Sequence, residues 1–179
     1  MFTVVFILDK INFMDYFVCA LEHTYMDETH RGSKFLGYFD DADKVEKEKQ
    51  RLLHFCGLAD YPNDFHLKKV GLNKINWQNG FTEVVGEIGK DYLSEDDFIP
   101  DYSQIIKELD FKTVFKISHT YTIHAFLDNE REIGVISDEK MANDVVHFLR
   151  QKDGFNKYTD DFIISEILLN DWQWSSGFG

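Results

Sequence analysis

Apolar and polar positions along the chain form short segments that occur twice in the same order. Apolar runs at residues 35–39 and 133–136 predict strands, and each run contains one glycine, Gly37 or Gly134. A glycine inside a strand indicates a bulge or a close approach by another part of the backbone. Further strands are predicted before these runs, at 17–25 and 114–121, and after them, at 65–70 and 162–167.

One amphipathic helix is predicted between the second and third strands of each half. Asp41 and Asp138 follow the second strand, where a carboxylate caps the first free backbone N–H groups of a helix. Gly57 and Gly154 are predicted to end the helices as C′ glycines. Apolar residues recur between them at helical spacing, at Val45, Leu52 and Phe55 in the first half and at Met141, Val145, Phe148 and Leu149 in the second.

The two halves are also related residue by residue. His23-Thr24-Tyr25 recurs as His119-Thr120-Tyr121 at an offset of 96, and Trp77-x-x-Gly80-Phe81 recurs as Trp174-x-x-Gly177-Phe178 at an offset of 97. The offset of 97 also relates Gly37 to Gly134, Asp41 to Asp138, Leu52 to Leu149, Gly57 to Gly154, Tyr61 to Tyr158, Asp64 to Asp161, Phe65 to Phe162, and Leu72-Asn73 to Leu169-Asn170. Such a constant register indicates two diverged copies of one small α+β domain.

The duplication predicts a division into three segments. Residues 1–89 form the first ββαβ repeat with an extra strand at 3–8, residues 90–112 form an acidic, aromatic linker with a short helix at 103–109, and residues 113–179 form the second repeat. Each repeat is predicted to be a small antiparallel sheet with one helix. A copy of about 70 residues is marginal as an independent core. We therefore expect the copies to pack pseudo-symmetrically, with aromatic residues between them; the alternative is two independent domains.

Composition adds that the chain can form a packed core and that it is acidic. Hydrophobic residues make up 44% of the sequence and aromatic residues 16%, which disfavours disorder and suits a protein-binding surface. The formal net charge is −13, from 32 acidic and 19 basic residues. Phosphate binding needs clustered Lys and Arg, so the charge argues against nucleic acid and membrane partners and favours a cationic protein. The alternative is that the charge serves solubility alone.

The acid surplus is concentrated in the second half and in the linker. The formal charge is −4 over residues 1–89 and −9 over residues 90–179. Five carboxylates alternate with three aromatic rings in the linker: Asp91, Tyr92, Glu95, Asp96, Asp97, Phe98, Asp101 and Tyr102. Carboxylates imitate phosphates in a basic cleft, and aromatic side chains anchor interfaces. These eight residues are the predicted partner-binding site; the alternative is a solvated linker whose rings pack back onto the two copies.

The sequence carries no recognisable catalytic, metal or cofactor motif. We expect the repeated histidines, His23 and His119, to bond a backbone carbonyl or the repeated tyrosine; the alternative is an active or metal site formed by both rings between the copies. Neither histidine has a His or Cys partner at metal-ligand spacing. A P-loop, a GxGxxG loop and a nucleophile elbow are absent. The prediction is a non-enzymatic protein with no cofactor and no metal.

Two further residue types carry structural predictions. Cys19 and Cys56 form no CxxC pattern and are predicted to be small buried residues with free thiols, in a reducing compartment. Trp77 and Trp174 are predicted to close the core of each copy. No run of about 18 apolar residues is present, so the sequence predicts no membrane-spanning helix.

Residues 15–81 resemble a family of small bacterial domains of unassigned activity. The resemblance rests on Leu21-Glu22-His23-Thr24-Tyr25, on Gly37-Tyr38-Phe39, on the loop Tyr61-Pro62-Asn63-Asp64-Phe65 and on the ending Trp77 to Phe81. The second copy keeps His119-Thr120-Tyr121 and Trp174-x-x-Gly177-Phe178 but has Thr159 in place of the proline. The resemblance implies a fold and transfers no catalytic residue.

The chain is also similar, by analogy, to immunity proteins that neutralise toxins delivered between competing bacteria, including contact-dependent growth inhibition systems. This similarity rests on size, acidity and aromatic content. It implies a cytoplasmic inhibitor that occludes the active site of a basic toxin, such as a nuclease or RNase, through residues 91–102. The alternatives are a small enzyme or ligand-binding protein that uses His23 and His119, and a structural accessory domain.

Overall fold

The computed structural model of the protein describes residues 17–26, 31–81, 111–123 and 127–173. The elements in chain order are β1 (Phe17–Met26), β2 (Arg31–Phe39), α1 (Ala42–Leu52), β3 (Phe65–Gly71), β4 (Thr113–Ile123), β5 (Leu127–Ile136), α2 (Glu139–Leu149), a short 3₁₀ helix (Phe155–Lys157) and β6 (Phe162–Leu168). The six strands and two helices predicted over these residues are therefore confirmed. The strand predicted at 3–8 and the helix predicted at 103–109 lie outside the described residues.

The strands form two three-stranded sheets whose neighbours run antiparallel, so the fold is mixed α+β as predicted. The strand orders are β2-β1-β3 and β5-β4-β6, which places the first strand of each copy in the centre. The strand pairing shifts by one residue beside each strand glycine. In the first sheet the shift follows the pair Leu21–Gly37 along β1, and in the second it follows the pair Ile117–Gly134 along β4. The bulges predicted at these glycines are confirmed.

The two helices begin in the same way and end before the predicted glycines. The N-caps Asp41 and Asp138 share φ −142° and ψ 132°, and each side chain accepts a hydrogen bond from the backbone N–H three residues later. Both caps are confirmed. Gly57 and Gly154 lie five residues past the last helical residue, so their prediction as C′ glycines is wrong; their φ values of 83° and 81° shape the following loop instead. Each helix has 11 residues, and none within the described part of the chain is long and apolar enough to cross a membrane.

The chain divides into two compact units, and each unit contains the end of the other copy. Of the described residues, the N-terminal unit comprises 17–26, 31–70, 111–113 and 167–173, and the C-terminal unit comprises 71–81, 114–123 and 127–166. We call residues 72–81 the first tail and residues 169–173 the second tail. The boundaries of the compact units therefore differ from those of the repeats. Each tail belongs by sequence to one copy but packs in the unit that is built mainly from the other copy.

The first tail runs along β5 in the C-terminal unit. The backbone N–H groups of Asn73 and Asn76 donate to the carbonyl oxygens of Val135 and Ile133, both at 2.8 Å. Leu72 forms a parallel bridge with Val135. A Cβ added at Gly134 would collide with a backbone oxygen of this tail. The close approach predicted at Gly134 is confirmed, because the tail lies directly over it.

The second tail runs along β2 in the N-terminal unit with the same contacts. The backbone N–H groups of Asn170 and Gln173 donate to the carbonyl oxygens of Tyr38 and Leu36, at 2.8 and 2.9 Å. These four residues are the equivalents, at the offset of 97, of those in the first contact. A Cβ added at Gly37 would lie 2.5 Å from a backbone oxygen of this tail. The predicted close approach at Gly37 is therefore confirmed as well.

Each unit has its own apolar core. The N-terminal core contains Cys19, Leu21, Leu36, Phe39, Val45, Leu52, Leu58, Phe65 and Leu67, and the C-terminal core contains Ile75, Phe81, Ile117, Tyr121, Ile133, Ile136, Ala142, Val145, Val146, Leu149 and Phe155. Cys19 is buried as predicted, whereas Cys56 is exposed in the loop after α1, so the prediction is wrong there. Trp77 is 38% exposed, which corrects its prediction as a core residue. Phe81 has that role instead, and Trp174 lies outside the described residues.

Candidate functional site

The predicted partner-binding residues cannot be placed in the fold. Asp91, Tyr92, Glu95, Asp96, Asp97, Phe98, Asp101 and Tyr102 all lie outside the described residues. The acidic-linker site therefore stays a prediction from the sequence.

The repeated histidines have equivalent structural roles. His23 and His119 are fully buried, and Nε2 of each ring lies 2.9 Å from a backbone carbonyl oxygen, that of Tyr61 or Tyr158. Because a carbonyl oxygen only accepts, Nε2 must carry the proton in both rings. The predicted bond to a backbone carbonyl is confirmed. Each ring is buried within its own unit, His23 against Phe65 and His119 against Phe155 and Phe162.

The surroundings keep both histidines neutral. Burial is the main cause that lowers the pKa of His23 and His119 below the ordinary value of 6.5. At His119 the guanidinium of Arg131 lowers the pKa further, while the Tyr158 carbonyl and Asp161 act in the opposite direction. Both rings are therefore uncharged at pH 7 and serve as hydrogen-bond donors inside the fold.

Arg131 lies in an aromatic enclosure beside His119. The two residues face each other across the β4–β5 pair. The guanidinium carbon of Arg131 is 3.8 Å from the ring centroid of Phe81, 4.8 Å from that of Tyr121 and 5.3 Å from that of Trp77. We call these four residues, Trp77, Phe81, Tyr121 and Arg131, the arginine–aromatic cluster. Two of its three rings belong to the first tail, so the cluster depends on that tail crossing into the C-terminal unit.

The guanidinium of this cluster has donors that the described residues leave unpaired. Nε and Nη1 of Arg131 are buried and have no hydrogen-bond partner in the described part of the chain. Aromatic rings stabilise a guanidinium through its faces but offer no acceptor in its plane. A buried donor without a partner costs about 1–3 kcal/mol, and more when it is charged. Native proteins rarely leave such a group without a protein, water or ion partner.

Trp77 forms the exposed wall of the cluster and is held by the backbone. Its φ is 61°, a left-handed conformation that a bulky side chain seldom adopts. The Trp77 carbonyl accepts a hydrogen bond from Gly80 N at 2.8 Å, and Phe81 N donates to the Asp153 carbonyl at 2.9 Å. These two hydrogen bonds fix the turn that places the Trp77 indole ring beside Arg131, at the surface of the unit.

The equivalent region of the N-terminal unit is built differently. Lys34 takes the place of Arg131, opposite His23. The second tail places Trp172 under a different cation, with the Arg51 guanidinium carbon 4.4 Å from the Trp172 ring centroid. Arg51 also forms an ion pair with Glu48 at 3.0 Å and is exposed. Arg51 therefore has a carboxylate partner, whereas the described residues provide none for Arg131.

Sequence reasoning missed Arg131. The offset of 97 pairs Arg131 with Lys34, so a basic residue opposite each repeated histidine could have been noticed. The pattern gave no sign that Trp77 and Phe81 would reach the second copy, because that contact depends on the exchange of the tails.

Within the described residues, no three His, Cys, Asp or Glu side chains lie close enough together to hold a metal ion. Compared with protein-family models, with curated proteins and with solved structures, the chain matches none of them. The functional assignment must therefore rest on the residues of this chain.

Proposed function

We propose that this protein is a cytoplasmic, non-enzymatic acidic binding protein that inhibits a cationic toxin, such as a nuclease, by occluding its active site. Residues 91–102 are the proposed contact segment. On this proposal the protein acts as an immunity protein of a bacterial toxin system. It contributes negative charge and aromatic surface and performs no covalent step.

The uneven distribution of charge carries this proposal. The described residues include 19 acidic and 16 basic side chains, a surplus of only three. Residues 82–110 alone contain nine acidic and two basic side chains. A charge that served solubility alone would need no such concentration in one segment. A local surplus fits the recognition of a positively charged surface, which accelerates encounter and sets orientation.

Ion pairs within the described surface strengthen the contrast. On and beside α1, Lys44 lies 3.3 Å from Asp40, Lys49 lies 3.6 Å from Glu46, and Arg51 lies 3.0 Å from Glu48. These carboxylates already have a cation beside them, although α1 is rich in acids. Residues 82–110 contain two basic side chains for nine acidic ones, so that segment offers a cation to few of its own carboxylates.

The proposed mechanism is steric and electrostatic occlusion. Asp91, Glu95, Asp96, Asp97 and Asp101 would occupy positions that substrate phosphates take in a basic cleft. Their aromatic neighbours Tyr92, Phe98 and Tyr102 would supply the buried anchors, since aromatic residues dominate the binding energy of interfaces. We further propose that the two ββαβ copies pack pseudo-symmetrically as the scaffold for this segment. The equivalent contacts of the two tails support that arrangement.

A charge-reversal experiment tests the proposal. The full-length protein is used to capture basic proteins from its native host, and the captured toxin is assayed for inhibition. Asp96→Lys combined with Asp97→Lys should weaken binding at least tenfold, which corresponds to about 1.4 kcal/mol. The matched control is Asp160→Lys with Glu166→Lys, two exposed positions where the change in net charge is the same. The control should retain binding and inhibition.

Two results would overturn the proposal. The first is that no basic protein whose activity is inhibited can be captured. The second is equal loss of binding in both double variants, because general charge rather than the acidic segment would then control the interaction.

A further inference from the structure

We propose that the arginine–aromatic cluster is a binding site for a carboxylate group, with Arg131 as the residue that recognises it. This site is separate from the acidic segment and has the opposite charge preference. Its ligand is either a small carboxylate or the free C-terminus of a peptide.

The geometry of the guanidinium supports a ligand in its plane. Phe81, Tyr121 and Trp77 lie within 5.3 Å of the guanidinium carbon and supply cation–π contacts. The N–H bonds point along the plane, where Nε and Nη1 have no acceptor among the described residues. A carboxylate is planar and matches two parallel guanidinium N–H groups, which are either those of Nε and Nη2 or those of Nη1 and Nη2. One carboxylate would therefore supply an acceptor to one of the two open donors, which the aromatic rings cannot do.

The charge of the surroundings favours a monoanion. Arg131 faces His119 across the strand pair, and that histidine is neutral, so it adds no second positive charge. Asp161, which raises the pKa of the same histidine, adds a negative charge to the neighbourhood and so disfavours a ligand with two negative charges. The guanidinium by itself can balance one carboxylate. A phosphate dianion would keep an uncompensated charge next to aromatic walls, which is costly in a poorly hydrated site.

Trp77 is the wall through which a ligand would enter. Phe81 and Tyr121 are buried, with exposures of 8% and 3%, whereas Trp77 is 38% exposed. Nε and Nη1 are enclosed in this structure, so the indole ring has to move aside for a carboxylate to reach them. Binding should therefore change the environment of the Trp77 ring as well as that of Arg131.

The test is a titration of the full-length ¹⁵N-labelled protein, followed at the Nε–H signals of its arginines and the indole N–H signals of its tryptophans. Sodium acetate replaces sodium chloride at constant ionic strength and pH 7. We expect saturable shifts of the Arg131 and Trp77 signals, which Arg131→Lys and Trp77→Phe assign. Arg131→Lys should weaken the apparent affinity at least tenfold, because the planar fork is lost. Arg51→Lys, at an arginine that already has a carboxylate partner, is the matched control and should leave the affinity unchanged.

A second arm identifies the source of the carboxylate. A short peptide with a free C-terminus is compared with the same peptide carrying a C-terminal amide. If the free-acid peptide binds more tightly than acetate and the amide does not bind, the ligand is a peptide terminus; if acetate binds as tightly as the peptide, it is a small carboxylate.

Several outcomes would overturn the proposal. One such outcome is that no arginine Nε–H signal of the wild-type protein moves at high acetate and peptide concentrations, which can be read even if the Arg131 variant does not fold. Another is that inorganic phosphate shifts the Arg131 signal as strongly as acetate at equal ionic strength. Alternatively, Arg51→Lys would reduce the affinity as much as Arg131→Lys.

Discussion

The two tails make the same backbone contacts and carry different side chains. Asn73 and Asn170 each donate a backbone hydrogen bond to a strand carbonyl at 2.8 Å, at equivalent positions of β5 and β2. The first tail continues to the rings that enclose Arg131, whereas the second places Trp172 beside an arginine that is already paired. The two copies therefore share the backbone contacts of their tails and differ in the side chains that the tails place on the neighbouring strands.

The largest expected effect comes from adding a side-chain carbon at the two strand glycines that lie under the tails. Gly134→Ala and Gly37→Ala should each lower the free energy of unfolding by about 2–3 kcal/mol, because the new Cβ would overlap a backbone oxygen of a tail that is hydrogen-bonded to the same strand. Gly71→Ala is the control, since its Cβ would meet only the flexible Lys74 side chain. Urea denaturation measures all three. A cost at Gly134 no larger than at Gly71 would contradict the tail contact.

A smaller difference should separate the two asparagines. Asn73→Ala should cost about 2 kcal/mol, because the residue has φ 58° and its side chain makes three hydrogen bonds with Ser137. Asn170→Ala should cost less, about 1 kcal/mol, because its φ of 61° is similar but its side chain accepts a single bond, from Asp40 N. Glycine at either position keeps the backbone conformation, so it should recover part of each loss. Equal costs for the two alanine variants in urea denaturation would show that these bonds do not distinguish the tails.

The buried histidines should make both units sensitive to acid. A folded-state pKa below 6.5 means that the unfolded chain binds more protons, so stability falls as the pH drops below about 6.5 towards the folded pKa. Each histidine adds a slope of up to about 1.4 kcal/mol per pH unit in that window. His23→Gln and His119→Gln retain a donor for the tyrosine carbonyl but do not titrate. Each should flatten the curve of unfolding free energy against pH between 5 and 7, and unchanged slopes in both would refute this account.

The smallest effect is expected at the paired arginine. Arg51→Gln should cost about 0.5 kcal/mol or less, because Arg51 is exposed and both its ion pair and its contact with Trp172 are weakened by water. Urea denaturation in low and high salt checks the value. A cost above about 2 kcal/mol would show that the second tail depends on Arg51. That result would contradict the view that the tails are held mainly by their backbone contacts.

The elements of the fold could be predicted from the sequence because they follow from local rules. The N-caps at Asp41 and Asp138, the bulges at Gly37 and Gly134 and the strand periodicity need only nearby residues. The exchange of tails could not be predicted in this way. Both β2 and β5 carry the glycine that admits a tail, so periodicity does not indicate which copy a tail will select.

The same limit explains the errors and the omission at the candidate site. Trp77 was expected in a core because tryptophan is a large apolar residue, but the turn closed by Gly80 directs it to the surface, and Phe81 is buried instead. Cys56 was expected to be buried on its residue type alone and lies in an exposed loop. The environment of Arg131 could not be predicted, because it depends on the first tail, which places the rings of Trp77 and Phe81 beside the guanidinium.

The exchange of tails also sets an order of events during synthesis on the ribosome. The strand edge of β2 receives its covering chain from residues 169–173, which are translated more than a hundred residues after β2 itself. At about 5–20 residues per second, that edge waits for several seconds. A truncated product that stops after β6 would lack the second tail, so a stop codon at that point should leave the edge of β2 uncovered although β2 itself was made long before.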